Sequence, residues 1–325
     1  MTKPKPVVLA TRLFPPAVEA RLSAGFAPIL NPTDAIYDGA RLVAAAEGCA
    51  GVMCAAGDAL DAATIGRLPA SVRIISTFSV GYEHIDVAAA AARGIVVTNT
   101  PDVLTDATAD IALLCLLGAS RRAQEGIDML RRREWVGWAP TQLMGTQLTG
   151  KRLGILGMGR IGQAVADRAR AFGMTIHYNN RNRLPPALEK GAVFHSDPEA
   201  MLPLCDFLSI NCPLTAQTRH WLNAARIAKL PDGAIVVNTA RGPVVEDAAL
   251  IAAVKSGKLA SVGLDVFEGE PNLNAGYHER PNAFLLRHMG SATLETRNAM
   301  GFRALDNLEA FLLRDETPPD PVRPA

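Results

Sequence analysis

Short apolar runs along this chain alternate with longer segments whose apolar residues recur at helical spacing, and Gly, Pro, Asn and Asp punctuate the two. Residues 7–10, 28–30, 51–54, 74–77 and 95–98 read as short buried strands, with helices predicted over 15–24 and 38–46 between them. A long apolar helix is predicted next, capped by Asp102 or Thr105 and ending at Arg121 and Arg122, cations that suit a C-terminal helix dipole. Its position between two α/β stretches suggests a connector. Strands are then predicted at 153–156, 175–178, 207–211, 234–238 and 261–264. Strand and helix in regular alternation are the pattern of parallel α/β sheets.

The first strand of the second half runs straight into Gly157, Gly159 and Gly162 at G-x-G-x-x-G spacing, followed by a helix with a small apolar face (Ala164, Val165, Ala166, Ala169) that Gly173 stops. The first glycine permits a tight turn, the second lets a pyrophosphate approach the backbone, and the third lets the helix pack close to the strand. The N-terminal N–H groups of that helix then face phosphate. This context predicts a dinucleotide site in a Rossmann-like, doubly wound fold. A free ribose 2′-hydroxyl is usually held by an acidic residue about 20 positions on. Here the strand end reads Asn179, Asn180, Arg181, Asn182, Arg183 with no carboxylate. Guanidinium and amide donors suit a 2′-phosphate, so NADP (NADPH) is expected over NAD, the latter used at lower efficiency, with Asn180, Arg181 and Arg183 as contacts.

Composition narrows the function classes. A length of 325 residues accommodates two domains. With 33 basic against 32 acidic residues, there is no electrostatic reason to expect nucleic acid or an anionic membrane as partner. The N-terminus has only a short apolar run after its lysines, which reads as a first strand, and the run 111–119 is well under the roughly 18 residues of a membrane span. Five cysteines without a C-x-x-C pair suggest free thiols in a cytoplasmic setting and no metal site. The Pro-rich tail 317–325 is expected to be loose.

Ligands of open parallel sheets gather beyond the carboxyl ends of the strands. Pro213, Thr239, Arg241 and Asp265 all sit at such ends and are candidates for cofactor or substrate. Ser79-Val80-Gly81 follows another strand. It is either a plain strand-to-helix turn or a backbone N–H site for a carboxylate. Trp135 and Trp138 lie in a Gly- and Pro-containing loop, where they cover a partner surface or pack on their own domain. Glu270 and His288 add ionisable groups that chemistry needs.

In order along the chain, Gly157-x-Gly159-x-x-Gly162, Asn238-Thr-Ala-Arg241-Gly242, Asp265-Val-Phe-Glu-Gly-Glu270-Pro271 and His288-Met-Gly290-Ser-Ala-Thr resemble the D-isomer-specific 2-hydroxyacid dehydrogenase family. The resemblance spans nearly the whole chain, and the run 101–110, the Gly137-Trp138-Ala139-Pro140 loop and the acid-free strand end are most similar to its glyoxylate and hydroxypyruvate reductases. It implies two Rossmann-like doubly wound domains with an active-site cleft between them: a substrate domain of residues 1–99 and 290–325 and a dinucleotide domain of residues 100–289. It implies a homodimer in which Trp138 serves the neighbouring active site, and a small 2-oxo acid as substrate, reduced to the D-2-hydroxy acid.

The resemblance also carries roles. His288 would donate the proton, Glu270 would orient and charge the imidazole, and Arg241 would bind the substrate carboxylate with the N–H groups of Val80 and Gly81. Asp265 would contact the nicotinamide amide, and Arg160 and Ile161 the pyrophosphate. Thr105, Cys212, Pro213, Thr218, Thr239, Ala240, His288 and Gly290 complete the implied cofactor contacts, and Trp138 the substrate pocket. Two positions depart from the family: Arg287 replaces a usual proline, and Glu246 a usual aspartate. The neighbouring readings are a 2-ketogluconate-type reductase and a dinucleotide-sensing dimeric binding protein of the corepressor kind.

Overall fold

The apolar runs nearest the N-terminus hydrogen-bond into one parallel sheet in the computed structural model, which describes residues 4–324. Its strands are β1 (Val7–Ala10), β2 (Ala27–Ile29), β3 (Gly51–Cys54), β4 (Ile74–Thr77) and β5 (Val96–Thr98). Between them run α1 (Pro16–Gly25), α2 (Gly39–Ala45), α3 (Ala62–Arg67) and α4 (Val87–Ala92). Strand order is β2-β1-β3-β4-β5, closed at its edge by a short C-terminal strand.

Successive side chains of a strand point to opposite faces, so a strand covered on both sides is mostly apolar at every position. Val8 and Ala10 pack with α1 and residues 300–308, while Leu9 packs with α2 and α3, and all are fully buried. Asp38, Asp61 and Asp86 each cap the helix they precede, with the carboxylate accepting a backbone N–H at 2.8 Å.

The second sheet is built from β6 (Arg152–Leu156), β7 (Thr175–Asn179), β8 (Val193–Phe194), β9 (Phe207–Ile210), β10 (Ala234–Asn238), β11 (Leu259–Leu264) and β12 (Ala283–Leu285). Its helices are α5 (Thr105–Ser120), α6 (Ala123–Arg131), α7 (Arg160–Ala171), α8 (Pro186–Glu189), α9 (Pro198–Met201), α10 (Ala224–Lys229) and α11 (Asp247–Ser256). All strands are parallel in the order β12-β11-β10-β9-β6-β7-β8, which reverses direction between β6 and β9. That reversal is the topological switch point at which such sheets bind ligands.

The chain divides into two compact units, Thr105–Ser291 and the remainder. The division therefore falls a few residues beyond the expected 99/100 and 289/290. Asn99 and Thr100 bond to Val80 and Ser79 (2.8 and 3.0 Å), and Val103 and Leu104 pack into the first unit's core, which keeps this stretch with the first sheet. The expected connector, α5, begins at this division. It belongs to the second unit, lies against α7, β10 and β11, and leaves Asp106, Asp110 and Leu114 exposed. The contact is backbone-close: a Cβ at Gly263 would sit 2.5 Å from the Cys115 carbonyl, and one at Gly118 2.6 Å from the Phe284 ring.

The described part of the tail, 317–324, is not loose, and residue 325 lies outside the described residues. After α12 (Leu294–Leu313), residues Pro321–Val322 form β13, antiparallel to β5. Arg303 grips Asp320 through two bonds of 2.6 and 2.7 Å, and Asn307 both donates to that carboxylate and accepts the Asp320 N–H. Proline-rich composition suggested a mobile end, but a buried charged network outweighs it. Replacing Asp320 with Ala removes both acceptors of the Arg303 fork and one of the bonds that Asn307 donates, and is expected to lower unfolding stability by about 1–3 kcal/mol, measured by denaturant titration; a loose tail would show no change.

Candidate active site

Gly157 turns the chain at φ +93°, and a Cβ there would lie 2.7 Å from the Cys212 nitrogen. One at Gly162 would lie 2.3 Å from the Gly157 carbonyl, so α7 could not approach β6 with any larger residue. At Gly159 a Cβ would meet nothing, which leaves the backbone open exactly where the helix begins at Arg160 and Ile161 without a side-chain cap.

Beside this turn, at the ends of β9 and β10, the Asn211 Oδ1 and the Thr239 hydroxyl are buried and have no partner among the described residues. Buried polar atoms ordinarily find one, so open backbone and orphaned acceptors together fit a dinucleotide laid across the switch point. Cys212 is buried, with its thiol pushed up to about 11 by desolvation, and Pro213 is exposed. The Thr218 hydroxyl bonds to the Pro213 carbonyl at 2.7 Å, so it closes the 213–218 loop on itself. Thr105 opens α5, half-buried.

The ends of β10 and β11 carry the ionisable groups. The Asn238 side chain holds the Arg241 carbonyl and the Ala240 N–H (2.9 and 3.0 Å), fixing the turn from which Arg241 projects. Gly242 then abuts the next loop so closely that a Cβ would overlap the Phe267 backbone at 1.9 Å. On that loop the Glu270 Oε1 accepts the Phe267 N–H (2.7 Å), while Oε2 accepts from His288 Nδ1 at 2.7 Å. Burial would raise the Glu270 carboxyl, but the His288 hydrogen bond and charge, the Phe267 N–H and the Arg241 charge together hold it below the ordinary glutamate value. Because Nδ1 donates to a carboxylate, Nε2 is the ring atom left to face a reactant, and the His288 side chain is about half exposed.

His288 itself stands in left-handed backbone at φ +55°, rare for a residue with a Cβ. Three bonds from one residue hold it there. The Asp265 carbonyl accepts the His288 N–H (2.8 Å), and its carboxylate accepts those of Met289 and Gly290 (2.6 and 2.8 Å). Asp265 is 1% exposed; burial raises its carboxyl, opposed by these N–H groups and the His288 charge. Sequence reasoning expected Asp265 only as a nicotinamide contact and missed this task, the anchoring of the histidine loop. Thr108 was missed too: its buried hydroxyl bonds to the Gly290 carbonyl at 3.2 Å. The departure at Arg287 is accommodated, since the anchoring N–H groups belong to 286, 288, 289 and 290 and the Arg287 side chain is exposed. Glu246 precedes α11 and makes no side-chain cap, the bond an aspartate there would reach.

The 2′-side of the groove is revised. Asn180 is half-buried, Arg181 exposed, and the Asn180 amide bonds back to Asn182 at 3.3 Å. Arg183, expected as a third phosphate contact, has its fork on the Glu189 carboxylate at 2.9 and 3.1 Å. Glu189 is buried and also accepts the Tyr178 hydroxyl at 2.6 Å. The Arg183 bond, then that of Tyr178, holds the Glu189 carboxyl below its ordinary value.

In the first unit, the Ser79 hydroxyl bonds to the Gly81 carbonyl (2.6 Å) and the Val80 carbonyl accepts from Asn99, while the Val80 and Gly81 N–H groups meet no backbone acceptor among the described residues. Trp138 is 82% exposed, so packing on its own domain is excluded for this side chain. Among the described residues no cluster of three or more His, Cys, Asp or Glu could hold a metal, all five cysteines are unpaired and buried, and no helix is long and apolar enough to cross a membrane.

Residues 113–290 match the family described as D-isomer specific 2-hydroxyacid dehydrogenase, NAD binding domain. A glycerate dehydrogenase of Hyphomicrobium methylovorum is 42% identical over 96% of this chain and 97% of its own. A glyoxylate reductase of Thermococcus litoralis is 45% identical over 82% of this chain and 81% of its own. Among solved structures, an NADPH-dependent glyoxylate/hydroxypyruvate reductase from Sinorhizobium meliloti, in complex with NADP and malonate, superposes with a TM-score of 0.87 at 36% identity, covering 98% of this chain and 97% of that one. With its glycine turn, Arg241, Glu270 and His288 arrayed along one sheet edge, this chain belongs to the D-isomer-specific 2-hydroxyacid dehydrogenases.

Proposed function

We propose that this protein reduces a small 2-oxo acid, with glyoxylate and hydroxypyruvate as leading substrates, to the D-2-hydroxy acid at the expense of NADPH. The observation that carries the reading is the 2.7 Å bond between His288 Nδ1 and Glu270, formed between the loops that follow β11 and β12, at the same ends of the parallel strands as the dinucleotide turn. The names of the Hyphomicrobium, Thermococcus and Sinorhizobium relatives support the substrate class.

When bound, the reduced nicotinamide supplies a hydride to the carbonyl carbon. His288 Nε2 gives its proton to the carbonyl oxygen, so the C=O π bond is replaced by one C–H and one O–H bond. Glu270 stabilises the imidazolium before transfer and fixes the ring by its second oxygen. Arg241 pairs with the substrate carboxylate, and its positive charge polarises the neighbouring carbonyl. Val80 and Gly81 stay candidates for that carboxylate on the family resemblance. Asp265, Cys212, Pro213, Thr239, Ala240 and Gly290 are proposed to line the nicotinamide half of the cofactor, and Arg160 and Ile161 its pyrophosphate.

NADPH preference rests on Asn180 and Arg181, because Glu189 already occupies the fork of Arg183. A homodimer is proposed from α6, which has no buried residue, together with the exposed Leu130, Trp135, Val136 and Met144 and with Trp138. So much apolar surface on one segment marks an interface.

A panel of 2-oxo acids assayed with both reduced cofactors tests the reading. The expected result is fastest turnover of glyoxylate or hydroxypyruvate with NADPH, and a specificity constant favouring NADH would reject the cofactor assignment. Arg181→Ala is expected to raise the KM for NADPH about tenfold to a hundredfold, the value of a charged hydrogen bond, while leaving that for NADH nearly unchanged.

The depressed Glu270 pKa sets the pH response. Its carboxylate, and the pair it makes, persist as pH falls through the ordinary glutamate range and are lost only below it. Reduction should therefore keep its rate across that range. In Glu270→Gln, which takes away the carboxylate that holds the imidazole, kcat for reduction is expected to fall about tenfold or more while the KM for NADPH stays unchanged; a wild-type kcat would remove Glu270 from its role.

A further inference from the structure

A second histidine–carboxylate pair stands two residues from Glu270. His220 Nε2 lies 2.5 Å from Glu268 Oε1, and neither side chain belongs to the proton-transfer pair. His220 sits at the end of the loop that follows β9, the loop whose start (Cys212, Pro213) borders the dinucleotide turn. Like His288, it is held in left-handed backbone, at φ +49°. That conformation is unfavourable for a residue with a Cβ, and here it serves two bonds at once. The His220 N–H reaches the Pro243 carbonyl at 2.8 Å, next to Arg241, while the imidazole reaches Glu268 on the loop that carries Glu270.

Three strand-end loops are thereby tied at one residue. Leu222 and Glu246 continue the first tie through two backbone bonds of 3.1 and 3.0 Å. Gly242 presses the Arg241 turn onto the backbone of Phe267 and Glu268, and the Phe267 N–H in turn holds Glu270. Asp247, buried behind the pair and bonded to Tyr277 at 2.7 Å, is the further charged group on this side. The pair itself is partly exposed, with side chains 43% and 34% accessible. A solvent-accessible pair of this kind adds little to folding, so stability is a poor reason for so constrained a geometry.

We propose that His220 and Glu268 are positioning residues for the reduction, a strut that fixes the Arg241 turn and the Glu270 loop relative to the cofactor loop. The proposal rests on the reading of Arg241 and Glu270 given under Proposed function. A substrate-clamping arginine and a histidine-charging glutamate must each be held closely, because a displacement of about 1 Å can cost about a hundredfold in rate.

The test measures steady-state kinetics with NADPH and glyoxylate or hydroxypyruvate for the wild type, His220→Ala, His220→Gln, Glu268→Ala and the double alanine variant, together with thermal melting. His220→Ala and Glu268→Ala are expected to lower kcat/KM for the 2-oxo acid about tenfold to a hundredfold. The KM for NADPH should stay within about twofold, the melting temperature should fall by less than about 4 °C, and the double variant should be no worse than either single one. His220→Gln, which keeps a donor near the Nε2 position, should recover most of the rate. Wild-type rates in both alanine variants would overturn the strut, as would losses that simply track melting temperature or persist in full in a well-folded His220→Gln. A wild-type protein that turns over no 2-oxo acid would instead overturn the underlying reductase reading.

Discussion

The buried carboxylate of Asp265 is the constraint on which the rest of the site depends. At 1% exposure an acceptor of this strength must be supplied with donors or it destabilises the fold. The N–H groups of Met289 and Gly290 supply them, and the Asp265 carbonyl takes that of His288. Satisfying one buried group therefore dictates the path of a whole loop, including a left-handed histidine whose conformation costs roughly 1–3 kcal/mol on its own. The imidazole is delivered to Glu270 as a consequence. Gly290 belongs to the same arrangement, because a Cβ there would press on the Asp265 carboxylate and Thr108 at 3.3 and 3.4 Å.

Around this anchor the sheet does the placing. Parallel strands all end on one side, so loops after β6, β9, β10 and β11 share an edge although they are far apart in sequence. Order reversal between β6 and β9 opens that edge at the glycine turn. Tight backbone contacts then hold the loops in register: Gly157 against Cys212, Gly242 against Phe267, and Gly263 against Cys115 of α5. In each case the absent side chain is what permits the approach, so these glycines position chemistry without touching a reactant.

Much of this was legible in the sequence because buried parallel strands are continuous apolar runs and a glycine fingerprint has few other uses. Strands 7–10, 51–54, 74–77 and 234–238 lie where the pattern put them. Arg241, Glu270 and His288 were found by motif, and the structure brings them to one sheet edge. What stayed hidden depends on partners distant in the chain. Nothing local tells that Arg183 faces Glu189, that Asp265 serves the 289 and 290 N–H groups, or that Asp320 is gripped by Arg303 and Asn307. Composition misled at the tail, where prolines in 317–325 suggested mobility and tertiary ion pairing overrode it. A sequence likewise does not say which surface an apolar stripe covers, so the packing of α5 on α7, β10 and β11 was not legible.

The family resemblance and the physical reading meet at His288, where an exposed imidazole would by itself be a weak indication of chemistry. The most direct test is single-turnover hydride transfer in His288→Ala, with cofactor binding measured in parallel by nicotinamide fluorescence. The account predicts unchanged NADPH affinity with transfer to the 2-oxo acid slowed about a hundredfold to ten-thousandfold, the usual contribution of a general acid. Transfer at the wild-type rate, with cofactor equally well bound, would contradict it.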